Sequence, residues 1–275
     1  MKLSLSTGSF YPYPLRTVLR MAREAGFDGV EIGVNPEVIA RGGQAVRRLV
    51  EAEGLSLFSV HPTVVPLPGW REKHGGLDRT IRLAQDAGAQ VVVAHTPWVE
   101  TLDEGTGLLF CRQIEAWQAR LAGSDLRLAV ENKAVYREAQ RRYALTPLDR
   151  LGAFADRYDL GLVLVVAHAG SAGEDLIDAR QMFDSRLVDV HLSDLGGSRP
   201  FRSVRLLHKF LEQHRFPGAG DLPLTDFLVE LQHSGYAGPV TLEVGPIDLQ
   251  VWWPNAARRR LTQAMAWMKE ALITR

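Results

Sequence analysis

Short runs of Val, Leu and Ile recur along the chain, each followed by a longer stretch with apolar residues at helical spacing. The runs stand at 3–6 (LSLS), 29–32 (GVEI), 55–60 (LSLFSV), 91–94 (VVVA), 126–131 (LRLAVE), 162–166 (LVLVV), 187–192 (LVDVHL) and 240–244 (VTLEV). Helical patterns lie between them, over 15–25, 36–53, 77–87, 108–121, 147–157, 175–183, 225–234 and 256–272. Glycines at 26, 54, 88 and 235 follow the last turns and act as stop signals. Strands that alternate with helices run parallel and are joined by right-handed crossovers. Eight such units within 275 residues, with no linker or charge run between halves, predict an α/β chain folded as one closed, eight-stranded parallel (β/α)8 TIM barrel, a single domain over 1–275. The longest irregular piece, 196–224, holds GGSRP and RFPGAGDLP with a short helix between them. A loop of that length inside a compact domain is usually functional or mobile.

Bulk composition narrows the function classes. Hydrophobic residues make up 46% and charged residues 23% of the chain, so a sizeable core is expected and disorder is not. Thirty-two basic against 32 acidic residues remove the broad positive field of a nucleic-acid binder. The one cysteine, Cys111, excludes an internal disulfide and a cysteine-based zinc site, and is expected as an inert packed thiol. The first residues, MKLSLSTGSFYPYP, carry one lysine and no long apolar core, so neither a signal peptide nor a membrane span is expected and the cytoplasm is the default location.

A (β/α)8 barrel builds its site at the C-terminal ends of its strands, so the residues closing each run carry the chemistry. Glu31 closes the second, His61 follows the third, His95 the fourth, Glu131 the fifth, His168 the sixth, His191 the seventh and Glu243 the eighth. Of eight histidines, four stand at this one end; the others are His74, His208, His214 and His233, and His214 lies in the loop that would cover the same face. Each alone reads equally as a hydrogen-bonded structural residue or a salt-bridged carboxylate. Several carboxylates buried together are costly, because like charges and desolvation both disfavour ionisation, and a divalent cation removes that cost. Mixed imidazole and carboxylate donors suit Zn²⁺, Mn²⁺ or Fe²⁺ better than Mg²⁺ or Ca²⁺, with Zn²⁺ and Mn²⁺ first among the candidates.

The stretches GFDGVEI, SVHP, VVVAHTP, LAVENK, LVLVVAHAG, VDVHLSD, HRFPGAGDLPL and LQHSGYAGPVTLEV, in this order through most of the chain, resemble the xylose isomerase-like barrels. That superfamily holds sugar isomerases, ketose 3-epimerases, inosose dehydratase-type enzymes and abasic-site nucleases of the endonuclease IV type. The resemblance implies a central metal held by Glu131, His191 and Glu243 together with an aspartate on the sixth strand, but Val165 occupies that last position. The three-metal nucleases imply a second ion on His61 and His95 with Glu131 bridging. Their third ion would use His168 and His214, with Glu212 where the pattern has aspartate.

From this resemblance the expected activity is a metal-dependent isomerase or epimerase acting on a sugar, sugar derivative or polyol. Glu131 and Glu243 would remove and return a proton as a pair, with His168 on a substrate oxygen and Glu31 either orienting a hydroxyl or paired with an arginine. Trp98, after HTP, either lines a sugar pocket or packs. Loss of the carboxylate at Val165 opens a second arrangement, an ion centred on His61, His95 and Glu131, which favours hydrolysis or dehydration. Two alternatives stand beside the isomerase: a phosphodiester hydrolase of the abasic-site type, for which balanced charge is unfavourable, and a barrel without catalysis. Trp252, Trp253 and Trp267 fit either aromatic core or a contact between copies in a homo-oligomer. GAG at 218–220 and HAGSAG at 168–173 offer backbone amides to a phosphate.

Overall fold

A computed structural model describes residues 1–63, 67–70, 76–196 and 212–273 of the chain. Eight parallel strands close into a barrel in sequence order, with β1 (Lys2–Ser6) hydrogen-bonded to both β2 (Gly29–Gly33) and β8 (Pro239–Leu242). Between them run β3 (Ser56–His61), β4 (Val91–Ala94), β5 (Arg127–Glu131), β6 (Gly161–Val165) and β7 (Leu187–Leu192). The helices are α1 (Leu15–Ala25), α2 (Pro36–Arg41), α3 (Gly43–Ala52), α4 (Gly76–Ala87), α5 (Gly105–Leu121), α6 (Leu148–Tyr158), α7 (Val166–Ser171), α8 (Leu176–Phe183), α9 (Leu224–His233) and α10 (Pro254–Ile273). No helix among the described residues is long and apolar enough to cross a membrane.

Two boundaries differ from the sequence expectation for identifiable reasons. The helix expected over 36–53 is broken at Gly42, whose φ of 74° ends α2, and α3 restarts at Gly43. A side chain at Gly43 would run into the Leu83 carbonyl of α4, so this glycine lets the two helices approach. The sixth strand stops at Val165 because the Asn132 side chain takes over its backbone bonds: Val165 N–H donates to Oδ1 at 2.7 Å, and Nδ2 donates to the Val165 carbonyl at 3.1 Å. Val166 then opens α7, and His168 sits on that short helix.

Side-chain alternation divides the core. Outward-facing Leu5, Val30, Ile32, Val130, Leu162 and Leu164 pack with Leu19, Ile81, Ile114 and Leu151 of the helices, and Cys111 is buried among them. The inside of the barrel is two-faced. On β4, β5 and β6 it is apolar, a separate cluster of Val91, Val93, Ala129, Val163 and Val165. On β1, β2, β3, β7 and β8 it is polar: Ser4, Ser6, Glu31, Ser59, Asp189, His191 and Thr241, all buried. The alternation in LSLS thus points leucines at the helices and serines into the barrel, where Ser6 donates to the Glu31 carboxylate.

The loop after β7 is latched by one buried carboxylate. Asp194 accepts the N–H groups of Leu195, Gly218, Gly220 and Leu222 at 2.9 to 3.1 Å. The GAG amides expected to face a phosphate are therefore satisfied from within. In HAGSAG, the amides of Ala172 and Gly173 bond to backbone carbonyls of α7, which removes that phosphate reading as well. The short helix expected inside 196–224 lies outside the described residues, as do His74 and His208. Trp267 packs on the core, whereas Trp252 and Trp253 are exposed and touch each other edge to face, so the aromatic-core expectation fails for this pair.

Candidate metal centre

His61 ends β3, Glu131 ends β5, and His95 follows β4 directly, which brings the three side chains together at one end of the barrel. His95 Nε2 lies 3.3 Å from Glu131 Oε1 and His61 Nε2 lies 3.7 Å from Oε2. The two rings meet edge to face at 4.9 Å. His61 Nδ1 is 2.9 Å from the Pro62 carbonyl, which only accepts, so the proton sits on Nδ1 and the Nε2 lone pair faces the carboxylate. An acceptor nitrogen facing a buried carboxylate oxygen requires something electropositive between them. In the metal-free protein that is a proton. Burial opposes charge on His61, but its hydrogen bond to Glu131 and the carboxylates of Glu31, Glu131 and Glu243 outweigh it and raise its pKa to about 9. Burial likewise opposes the Glu131 carboxylate, and His95 and His61 overcome it, holding it well below the ordinary range.

The donor set also fits a divalent ion. Two ligands each about 2.1 Å from a tetrahedral ion stand about 3.4 Å apart; each imidazole nitrogen is near that separation from its own oxygen of Glu131, at 3.3 Å for His95 with Oε1 and 3.7 Å for His61 with Oε2. The Pro62 carbonyl supplies the outer partner that ligating imidazoles usually have. Among the described residues the donor atoms of His61, His95 and Glu131 lie within 4.8 Å of one another, and so do those of Glu31, Asp189 and His191. Glu131, His191 and Glu243, the set implied by the resemblance, do not gather in this way, nor does Glu212 join His168 and His214. Val165 cannot contribute, since its side chain belongs to the dry apolar cluster.

Glu243 follows β8 and forms the second half of the mouth. Its Oε2 is 3.4 Å from His191 Nδ1 and 3.3 Å from His214 Nδ1, and its side chain is 20% exposed. Burial raises its pKa and His214, His191 and His61 more than reverse this, leaving it ionised. His214 holds a left-handed backbone (φ 52°), a strained conformation for a non-glycine residue. It is fixed by Gly245 N–H donating to its carbonyl at 2.7 Å and by the bridge between Asp194 and Arg215. His168 and His214 stack edge to face at 5.2 Å. The Asn132 carbonyl, 2.9 Å away, takes the Nδ1 proton of His168. Burial and the neighbouring His214 push its pKa down to about 4, so it stays neutral with Nε2 as an acceptor.

Glu31 is not at the mouth. It lies inside the barrel, fully buried, accepting from Ser6 and Ser59, and its charged partner is His191 rather than an arginine. Asp189, two residues before His191, was not marked by the sequence because it sits inside an apolar run. It accepts from Thr241 at 2.9 Å and contacts Ser59 at 3.2 Å, and burial raises its pKa to about 7. Ser59 has one proton for two carboxylates, which a protonated Asp189 resolves by donating to it. Lys133 was also missed: its ammonium is buried, bonded to the Thr96 carbonyl and 4.1 Å above the Trp98 ring. Trp98 itself is 45% exposed and edge to face with Tyr143.

Comparison with known proteins agrees with this architecture. The chain is 31% identical over 268 residues to an uncharacterised protein of Mycobacterium tuberculosis, covering 89% of each. It is 29% identical over 227 residues to 3-dehydroshikimate dehydratase of Pseudomonas aeruginosa, covering 80% of this chain and 34% of that enzyme. The fold matches that of Escherichia coli 3-keto-D-glucoside 4-epimerase with a TM-score of 0.71 at 16% identity, over 98% of this chain and 99% of that one. Residues 19–271 match the family model for the xylose isomerase-like TIM barrel, and the chain belongs to that family.

Proposed function

We propose that this chain is a divalent-metal-dependent enzyme that moves a proton at a carbon next to a carbonyl in a small, polyhydroxylated, sugar-like compound, as an isomerase or epimerase. The observation that carries the reading is the three-donor group of His61, His95 and Glu131 at the mouth of the barrel, beside the ionised and partly exposed Glu243. His61, His95 and Glu131 hold the ion, with Zn²⁺ or Mn²⁺ suited to two imidazoles and a carboxylate. When bound, the ion polarises a substrate carbonyl and so acidifies the adjacent C–H.

The remaining steps belong to the chain. Glu243, the more exposed of the two mouth glutamates, removes the proton and returns it. His191 and His214 steady the charge of that base from two sides. A shift between neighbouring carbons needs only this one base. Epimerisation needs a second acid on the opposite face, and Glu131 is the carboxylate on the far side of His61 and His191. His168 Nε2 accepts from a substrate hydroxyl, and Trp98, with the Lys133 ammonium over its ring, offers an indole surface to a sugar ring.

Dehydration is a second reading, favoured by the sequence similarity to a dehydratase over 80% of this chain. It shares the first step and differs in that a β-hydroxyl then leaves. Proton NMR in D2O, with zinc- or manganese-loaded protein and a set of ketoses, keto-sugar derivatives and 3-dehydroshikimate, separates the two. Loss of the α-C–H signal without loss of water supports isomerisation, and new olefinic or aromatic signals support dehydration. No exchange with any of these compounds contradicts both.

A further inference from the structure

Lysine is seldom buried, because taking its ammonium out of water costs more than a bond to a neutral group returns. Lys133 is an exception, at 8% exposed. Its place follows from strand alternation. Ala129 of β5 lies in the apolar cluster inside the barrel and Glu131 turns to the mouth, so Lys133, two residues on, continues that row past the end of the strand. Asn132, between them, is turned aside to the backbone of Val165. From there the ammonium crosses to the neighbouring segment: it donates to the carbonyl of Thr96, the residue after His95, and rests 4.1 Å from the centre of the Trp98 ring. Positive charge is thus held between the two segments that carry Glu131 and His95. Trp98 is 45% exposed, so the pair lies where the mouth opens to solvent.

The Thr96 carbonyl takes one of the three ammonium N–H groups, and the indole face attracts the charge as a whole. Neither is an anion. Hydroxyls of a neutral sugar are bound as well by amides or carboxylates, without the cost of a buried cation, whereas an opposite charge returns that cost as a charge-assisted hydrogen bond. We propose that Lys133 selects the substrate by binding a carboxylate on the compound whose carbonyl meets the ion, so that the substrate is a polyhydroxylated carboxylic acid and not a neutral sugar. One ammonium matches one carboxylate charge. A phosphate finds less: the GAG amides are taken by Asp194, and those of Ala172 and Gly173 by backbone carbonyls. The inference rests on the proposed function for the reaction that follows binding, and on Lys133 alone for the preference.

The chain has five lysines, so ¹⁵Nζ–¹H NMR of the zinc-loaded protein is a sparse spectrum, in which Lys133 is the signal lost in Lys133→Met. The probes are D-glucuronate, D-galacturonate and 3-dehydroshikimate, set against D-glucose, D-galactose and D-glucose 6-phosphate. At least one acid is expected to shift the Lys133 signal and to bind about 10- to 100-fold more tightly than the neutral sugars, and Lys133→Met is expected to lose that preference. Zinc binding, read by chelator competition, is not weakened in the variant, because removing a nearby positive charge favours the ion. The proposal is overturned if no acid moves the signal, if glucose or its phosphate moves it as far, or if the preference survives in Lys133→Met because the ion alone holds the carboxylate. A folded Lys133→Met protein that loses zinc marks the lysine as a prop of the metal group and overturns it too. Should this variant fail to fold, Lys133 is assigned as the ammonium whose protons exchange most slowly with solvent, and the wild-type titration decides. Binding needs no turnover. An acid that shifts Lys133 but never exchanges its α-proton refutes the proposed reaction and supports the subsite, whereas neutral ketoses exchanging at one rate in wild type and Lys133→Met do the reverse.

Discussion

His95 Nε2 stands 3.3 Å from Glu131 Oε1, on the opposite oxygen of the carboxylate from His61, so one glutamate serves two imidazoles with one oxygen each. Of the two histidines, His95 is the more exposed, at 32% against 6% for His61, and it is the one that can be removed without opening the core. His95→Ala is expected to weaken divalent-ion binding by more than about 100-fold, beyond what loss of an outer partner costs. The metal-free protein should lose less than about 1 kcal/mol of stability. Chelator competition and urea unfolding of the same preparations check both statements.

The pH dependence of the metal-free protein follows from His61. Its pKa is raised to about 9 in the fold, against about 6.5 in the unfolded chain. A raised histidine contributes stability that is fully present below the unfolded value and is lost as pH rises through the folded one. The melting temperature of chelator-treated protein is therefore expected to fall between about pH 6.5 and 9. Ion affinity should rise across the same interval, because the ion displaces that proton. A melting temperature that climbs with pH in this window would contradict the assignment.

Val165 holds the place where the resemblance implies an aspartate, and its side chain packs with Val91, Val93, Ala129 and Val163. A carboxylate there enters a dry cluster with no partner. Val165→Asp is expected to destabilise the metal-free protein by about 3 kcal/mol or more, measured by urea unfolding. A wild-type unfolding midpoint for this variant would show the cluster to be wetter than its packing indicates.

The barrel was legible in the sequence because each strand is a short apolar run and the spacing to the next admits one helix. The strand-end rule then located His61, His95, Glu131 and Glu243 without any structure. What escaped depended on direction rather than identity. Glu31 looked like a mouth residue because it closes an apolar run, but the alternation of GVEI turns it inward between Ser6 and Ser59. Asp189 was hidden for the same reason, and Lys133 because a lysine two residues past a strand gives no sign that its ammonium folds back over Trp98. The glycines of GAG were legible as a close approach of backbone, but their partner, Asp194, lies 24 and 26 residues earlier, beyond any local pattern.

Asp194 should accordingly be sensitive to a change that keeps its shape. Four backbone N–H groups converge on its two oxygens, and an amide would turn one acceptor into a donor facing donors. Asp194→Asn is expected to cost about 2 kcal/mol or more. Gly218 lies against Trp267, so loosening of the loop should also shift the indole fluorescence before global unfolding. A variant with wild-type stability and emission would mean that the latch is dispensable.

The central claim is that His61, His95 and Glu131 hold a divalent ion. Elemental analysis of wild-type and Glu131→Gln protein, purified side by side without chelator or added metal, tests it most directly. The account predicts about one or more equivalents of zinc or manganese in the wild type and less than about a tenth of that in Glu131→Gln, with both proteins folded. Full metal occupancy in Glu131→Gln, or a wild-type protein that takes up no divalent ion even when it is supplied, would contradict it.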